Sequence, residues 1–132
     1  MCYYRPAGLL THSEETGTTM KPTLVTAATM LELAPLIHAI EAQKLSAAGF
    51  PETFGGTVGT SAVLLAVTGM GKVNTAMAIT ALFERNRPGL LINTGCAGAY
   101  PGSGLKLGDL ALATAEVYGD EGVMTPTGWE SL

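Results

Sequence analysis

Residues 90–98 constrain the fold of this chain more than any other stretch of its sequence. The first four, Leu-Leu-Ile-Asn, are apolar or compatible with a strand and show no polar alternation, which is typical of a strand covered on both faces. Gly95 and Gly98 follow in a turn of small residues, where the lack of a side chain lets the backbone approach a ligand closely. We therefore expect the functional site at this turn.

A second unit of the same kind lies upstream. The apolar residues 63–68 lead into the turn Gly69-Met70-Gly71-Lys72, and a helical pattern follows over residues 73–87. A right-handed β-α-β crossover makes the strands at 63–68 and 90–93 parallel in one sheet, with both glycine turns at one edge. Open α/β sheets bind their ligands in a crevice at such an edge.

Further elements are predicted from periodicity. Residues 23–28 predict a first strand, and residues 30–47 predict an amphipathic helix that is kinked or delayed by Pro35 and ended by residues 49–51. A twisted hairpin is expected over residues 53–60 and another strand over 110–115, whereas residues 116–132 indicate loop. Residues 1–19 lack any period and are interpreted as a disordered extension, so that the domain occupies residues 20–132.

Composition excludes several classes of protein. The chain has 132 residues, of which 47% are hydrophobic and 14% charged, and this balance favours one globular domain. A net charge of −4, with seven Lys and Arg, argues against a nucleic-acid partner, and no apolar run reaches the ~20 residues of a membrane span. Two distant cysteines indicate neither a disulfide framework nor a zinc site. We expect a cytoplasmic protein without metal or cofactor.

The glycine turns do not fit two well-known phosphate motifs. Lys72 is not followed by the Ser or Thr of a P-loop, and Asn74 stands where a dinucleotide fingerprint has its third glycine. The combination of three motifs is more specific, and it resembles the nucleoside phosphorylase/hydrolase superfamily. These motifs are Gly69-Met70-Gly71-Lys72-Val73-Asn74, Asn93-Thr94-Gly95-Cys96-Ala97-Gly98 and Leu105-Lys106-Leu107-Gly108-Asp109-Leu110.

Within that superfamily, residues 99–104 and 116–129 resemble the futalosine hydrolase branch of menaquinone biosynthesis. The resemblance implies a three-layer α/β/α sandwich with a central mixed sheet. It also implies that a purine nucleosidase cleaves the N-ribosidic bond of futalosine to release hypoxanthine and dehypoxanthine futalosine. Hydrolysis of 5′-methylthioadenosine or S-adenosylhomocysteine is one alternative, and a non-catalytic nucleoside-binding module is another.

The likeness covers about residues 22–132, which match only the N-terminal half or so of the family's usual length. Family members place the acid for the leaving purine and the ribose clamp further along the chain than Leu132. We expect these 132 residues to be inactive alone. Phosphorylases of the superfamily hold phosphate with arginines, whereas this chain has Asn93-Thr94 and Ala27-Ala28-Thr29 at the matching places, which favours hydrolysis.

Glu32 resembles the water-activating glutamate that follows the first strand in the nucleosidases. Its position four residues after the strand end directs the carboxylate toward the crevice at the glycine turns. Thr29-Met30-Leu31-Glu32 is also a capping box, in which Glu32 merely bonds back to the amide of Thr29. We expect the first role, because Pro35 should disturb the first turns of the helix that a cap would stabilise.

The resemblance also implies substrate contacts for five residues. Cys96 is interpreted as a buried contact residue of the ribose site rather than a nucleophile, because neither His12 nor His38 is predicted to reach it. Met70 aligns with an apolar position of the pocket, and packing in the core is the equal alternative for its side chain. Val123 aligns with a residue that closes the neighbouring subunit's pocket, which implies a homodimer. The predicted substrate-binding residues are Met70, Cys96, Ala97, Gly98 and Val123.

Overall fold

A five-stranded mixed sheet dominates the computed structural model, which describes residues 20–45 and 50–131. In chain order its elements are β1 (Thr23–Ala27), α1 (Met30–Ala39), β2 (Gln43–Lys44), β3 (Glu52–Val58), β4 (Ser61–Val67), α2 (Lys72–Asn86) and β5 (Leu90–Asn93). The spatial order of the strands is β2-β3-β4-β1-β5. Strand β1 runs parallel to β4 and β5, whereas β3 is antiparallel to β2 and β4, which confirms a mixed sheet.

The two helices cover opposite faces of this sheet. Successive side chains of a strand point to opposite faces, so β1 contributes to two separate apolar clusters. Val25 lies in one cluster with Leu33 of α1, and Leu24 lies in the other with Leu82 of α2. The predicted three layers are therefore confirmed.

Strand β1 lies between the two strands that carry the glycine turns. The predicted parallel arrangement of β4 and β5 in one sheet is confirmed, but the two strands pair with β1 rather than with each other. Four of the five residues of β1 are buried, whereas Leu90 and Ile92 of the edge strand β5 are largely exposed. The strand that is covered on both faces is thus β1, which has a neighbour on either side. The expectation that residues 90–93 form such a strand is wrong for the described chain, because β5 lies at the edge of the sheet.

Helix α1 differs from its prediction at both ends. It starts at Met30 with a complete cap, so a late start is wrong, although Pro35 lies inside it. Proline removes the amide that would bond to the carbonyl of Leu31, and both residues lie on the exposed side, where water can replace that bond. The helix ends at Ala39, not near residue 47, because the chain turns at Glu41 with a φ of 50° and continues into β2.

The predicted hairpin over residues 53–60 is confirmed as β3 and β4, joined at Gly59-Thr60. Its glycines make room for the segment after α1. A Cβ at Gly56 would lie 2.9 Å from Ile40, and one at Gly55 would lie 3.0 Å from Leu45. Leu45 thus packs over the hairpin instead of continuing the apolar stripe of a longer helix.

The chain divides into two compact units, of which the second comprises Ala97–Leu132. This unit contains an antiparallel hairpin, β6 (Gly122–Thr125) and β7 (Gly128–Ser131), where loop was expected. The predicted strand over residues 110–115 is wrong, because no described strand pairs with this segment. The predicted extension over residues 1–19 lies outside the described residues.

Candidate functional site

The turn between β1 and α1 places Glu32 at the carboxyl end of the sheet. Thr29 caps α1 in an extended conformation, and Glu32 is its third residue. The Thr29 amide donates to Oε2 of Glu32 at 3.0 Å, and the Thr29 hydroxyl donates to the same oxygen at 2.8 Å. The Glu32 amide in turn donates to the Thr29 hydroxyl at 3.4 Å, a long bond. The capping box, which was the alternative to a catalytic role, is therefore present.

A second contact of Glu32 is not part of a helix cap. The backbone amide of Cys96 donates to Oε1 of Glu32 at 3.0 Å, across 64 positions of the sequence. The pairing of β1 with β5 makes this contact possible. The Thr94 amide donates to the carbonyl of Thr26 at 2.8 Å, so the pairing continues past the end of β5 toward Cys96. The two oxygens of the carboxylate are thus held by two different turns.

These hydrogen bonds determine the charge state of Glu32. They lower the pKa of its carboxyl below the ordinary value, and the Cys96 amide has the largest effect, followed by the Thr29 hydroxyl. Burial acts in the opposite direction, and the Thr29 amide adds a smaller lowering. Hydrogen bonds to a carboxylate favour its ionised form, so Glu32 is an anion at neutral pH. An ionised carboxylate is the form that can accept a proton.

The turn after β4 lies at the same edge of the sheet. The Thr68 amide donates to the carbonyl of Ala27 at 2.9 Å, and this bond ties the end of β4 to the end of β1. Gly69 and Gly71 then adopt φ angles of 81° and 90°, which a side chain would disfavour, and α2 begins at Lys72. The predicted convergence of both glycine turns at one edge is confirmed, and Glu32 lies at that edge.

Buried polar groups support the ends of the strands. The hydroxyl of the fully buried Thr26 donates to Oδ1 of Asn93 at 3.0 Å, across β1 and β5. The hydroxyl of Thr68, which is also buried, lies 3.3 Å from the carbonyl oxygen of Ala27. Sequence reasoning missed both threonines, although their positions at the ends of apolar strands were a usable signal.

The predicted site residues fall into two groups. Glu32, Met70 and Cys96 lie in the unit that contains the sheet, whereas Ala97, Gly98 and Val123 lie in the second unit. Cys96 is exposed, so the expected buried thiol is wrong, and its contact with Glu32 is made by the backbone amide. The side chain of Met70 is also exposed, which excludes core packing in the described chain. The substrate contacts of these residues stay predictions.

Two kinds of feature are not found within residues 20–45 and 50–131. No group of three or more His, Cys, Asp and Glu side chains could hold a metal ion there. Neither helix in this part of the chain is long and apolar enough to cross a membrane.

Comparison with known proteins identifies a family model that matches most of the described region and relatives that match part of it. The family model of the Phosphorylase superfamily matches residues 22–130. A 5′-methylthioadenosine/S-adenosylhomocysteine nucleosidase of Anoxybacillus flavithermus is 43% identical over 67 residues, which are 51% of this chain and 28% of that protein.

Solved structures of the same kind of enzyme have a similar fold. The nucleosidase of Neisseria meningitidis in complex with methylthio-immucillin-A matches with a TM-score of 0.60 and 33% identity, over 68% of this chain and 38% of that one. The Streptococcus pneumoniae MTA/SAH nucleosidase in complex with 8-aminoadenine matches with a TM-score of 0.59 and 35% identity, over 67% and 39% of the two chains. The chain thus spans less than two fifths of the length of these relatives.

Proposed function

The chain belongs to the phosphorylase superfamily, and on that premise we propose that the protein is a purine nucleosidase acting on 5′-methylthioadenosine or S-adenosylhomocysteine. The relatives described above carry this activity in their names. The residues 20–132 are then the N-terminal portion of a nucleoside phosphorylase/hydrolase-like domain. The observation that carries the proposal is the ionised Glu32 carboxylate held at the edge where both glycine turns meet.

Glu32 is the proposed general base. As the bond between C1′ and the purine nitrogen breaks, the ribose develops oxocarbenium character and the purine leaves with the electron pair. A water oxygen bonds to C1′, and one of its protons passes to the Glu32 carboxylate. A cap alone needs only Thr29, whereas the bond from Cys96 also fixes the carboxylate against the turn after β5.

The remaining predicted residues are proposed as substrate contacts. Met70 and Cys96 belong to the two glycine turns of the sheet unit, and Ala97 and Gly98 continue the second turn. Val123, on β6, is proposed to close the site of a neighbouring subunit in a homodimer. The partner molecule is a purine nucleoside, and neither nucleic acid nor membrane is part of the proposal.

Futalosine is the second candidate substrate. The loop over residues 99–104 and the tail over 116–129 resemble futalosine hydrolase, which is the function that the sequence alone favours. The relatives described above favour the methylthioadenosine/S-adenosylhomocysteine reaction instead. Both substrates share the ribosyl purine that the proposed base acts on, so the choice between them concerns the 5′ group and the base.

Product analysis tests the proposal. The full-length protein is incubated with 5′-methylthioadenosine, S-adenosylhomocysteine, futalosine and inosine, and the released base is identified by chromatography. We expect adenine from the first two substrates. Hypoxanthine from futalosine alone would replace the first candidate with the second, and no base from any of the four, with nucleoside binding retained, would favour a binding module.

A further inference from the structure

A side chain at position 95 would collide with the Glu32 carboxylate in its present position. A Cβ built on Gly95 would lie 2.9 Å from Oε1 and 3.5 Å from the carboxyl carbon. The backbone of Gly95 does not have a positive φ, so its conformation is open to other residues. Glycine at this position therefore leaves the carboxylate in its place, whereas the backbone conformation of the turn does not call for glycine.

The two oxygens of the Glu32 carboxylate have different hydrogen-bond donors. Oε2 accepts from both the amide and the hydroxyl of Thr29, and these two donors use its two lone pairs. Oε1 accepts from the Cys96 amide, the next residue after Gly95, and this is its one donor among the described residues. The second lone pair of Oε1 can therefore take a further proton donor, such as a water molecule.

We propose that Gly95 is a positioning residue, which admits Oε1 of Glu32 to the Cys96 amide and so makes Oε1 the oxygen that accepts the proton. The catalytic part of this inference rests on the proposed function. A methyl group at position 95 pushes Oε1 off the amide while Thr29 still holds Oε2. The carboxylate then stays in the cap but loses the position from which it meets the reacting water.

The Gly95→Ala variant tests this inference with two independent measurements. In the unsubstituted protein, the Cys96 amide shift in ¹H–¹⁵N spectra follows the ionisation of Glu32. In Gly95→Ala, this shift no longer follows pH, and the pKa of Glu32 rises toward its ordinary value, because the largest lowering contact is gone. We also expect kcat/KM to fall about 10- to 100-fold with the fold retained, as a displacement of about 1 Å can do.

Gly119→Ala is the matched control, because a Cβ at Gly119 meets no atom within 4 Å and its φ is not positive. It should change neither measurement. In a Glu32→Gln background, Gly95→Ala should cause no further loss of turnover, since it acts through Glu32. An additive loss, or an unchanged Cys96 titration in Gly95→Ala, overturns the inference.

If Gly95→Ala does not fold, Glu32→Asp tests the same contact, because its shorter side chain withdraws the carboxylate from Cys96 and keeps the charge. It should abolish the titration of the Cys96 amide, and a retained titration overturns the inference. If the unsubstituted protein hydrolyses none of the four nucleosides, the proposed function fails, whereas the amide titration still decides whether Gly95 positions Glu32.

Discussion

Glu32 combines two roles that the sequence presents as alternatives. The capping box is readable from Thr29-Met30-Leu31-Glu32, and the structure contains it. The bond from the Cys96 amide is not readable in this way, because it depends on the parallel pairing of β1 and β5 and on the space at Gly95. The spacing of Thr29 and Glu32 therefore predicts the cap. The contact between Glu32 and Cys96 follows only from the arrangement of the strands. Cap and base are compatible, since each uses a different oxygen of the carboxylate.

The Glu32→Gln variant separates these roles. Glutamine keeps the size of the side chain but is a far weaker proton acceptor, so turnover should fall about 10²- to 10⁴-fold while nucleoside binding is retained. Steady-state kinetics of the full-length protein and a binding titration measure the two effects. Thr29→Ala is the comparison, which should lower the free energy of unfolding by about 1 kcal/mol. Its turnover should fall far less than that of Glu32→Gln, because the backbone amides of residue 29 and Cys96 still hold the ionised carboxylate. Near-normal turnover of Glu32→Gln with a lowered melting temperature would reduce Glu32 to a cap.

The lowered pKa of Glu32 predicts a pH dependence of stability. A carboxyl whose pKa is lower in the folded protein stabilises the fold above its unfolded pKa, near 4.5, and loses that contribution as pH falls through the folded pKa. Wild type should therefore be more stable than Glu32→Gln at neutral pH, and the difference should shrink below about pH 4.5. Urea unfolding across this range measures it. Glu84→Gln, at an exposed position of α2, is the control, and an equal pH dependence of both variants would contradict the assignment.

At the scale of whole elements, the sequence predicts the strands and helices that carry the glycine turns. It does not predict the elements whose structure depends on contacts with residues that are distant in the sequence. The glycines of residues 53–60 predict the hairpin, and the period of the apolar residues after Lys72 predicts α2. Helix α1 is overpredicted, because Leu45 continues the apolar period but packs over Gly55. The apolar segment 110–115 has strand composition, yet a strand also requires a partner, and no described strand pairs with it.

Two leucines of α1 test whether this helix forms one layer of the core. Leu33 is 0% exposed and packs with Val25, whereas Leu31, two residues earlier, is 85% exposed. Leu33→Ala should lower the free energy of unfolding by about 2–5 kcal/mol, because it removes buried methyl groups and leaves a cavity. Leu31→Ala, the same change on the exposed side, should alter it by less than about 0.5 kcal/mol. Equal losses in chemical denaturation would contradict the observed packing of α1.

At the scale of the whole molecule, the arginines of the described chain lie away from the candidate site. The arginines among residues 20–45 and 50–131 are Arg85 and Arg87, both at the C-terminal end of α2. This helix has 15 residues, so its ends are about 22 Å apart, and the glycine turn lies at the other end. Lys72 opens the helix at the site edge, but an ammonium group lacks the bidentate geometry with which arginine holds phosphate.

This distribution of charge predicts that the protein uses water and not phosphate as the nucleophile. A phosphate dianion near C1′ would also lie near the ionised Glu32, and no arginine of residues 20–45 and 50–131 lies at this edge to offset their repulsion. Base release by the full-length protein should therefore change less than about twofold between phosphate-free buffer and about 50 mM phosphate at constant ionic strength. The sugar product should be the free ribose derivative, measured by mass spectrometry. Formation of the 1-phosphate ester in phosphate buffer would show that other residues supply the missing cations and that the reaction is phosphorolysis.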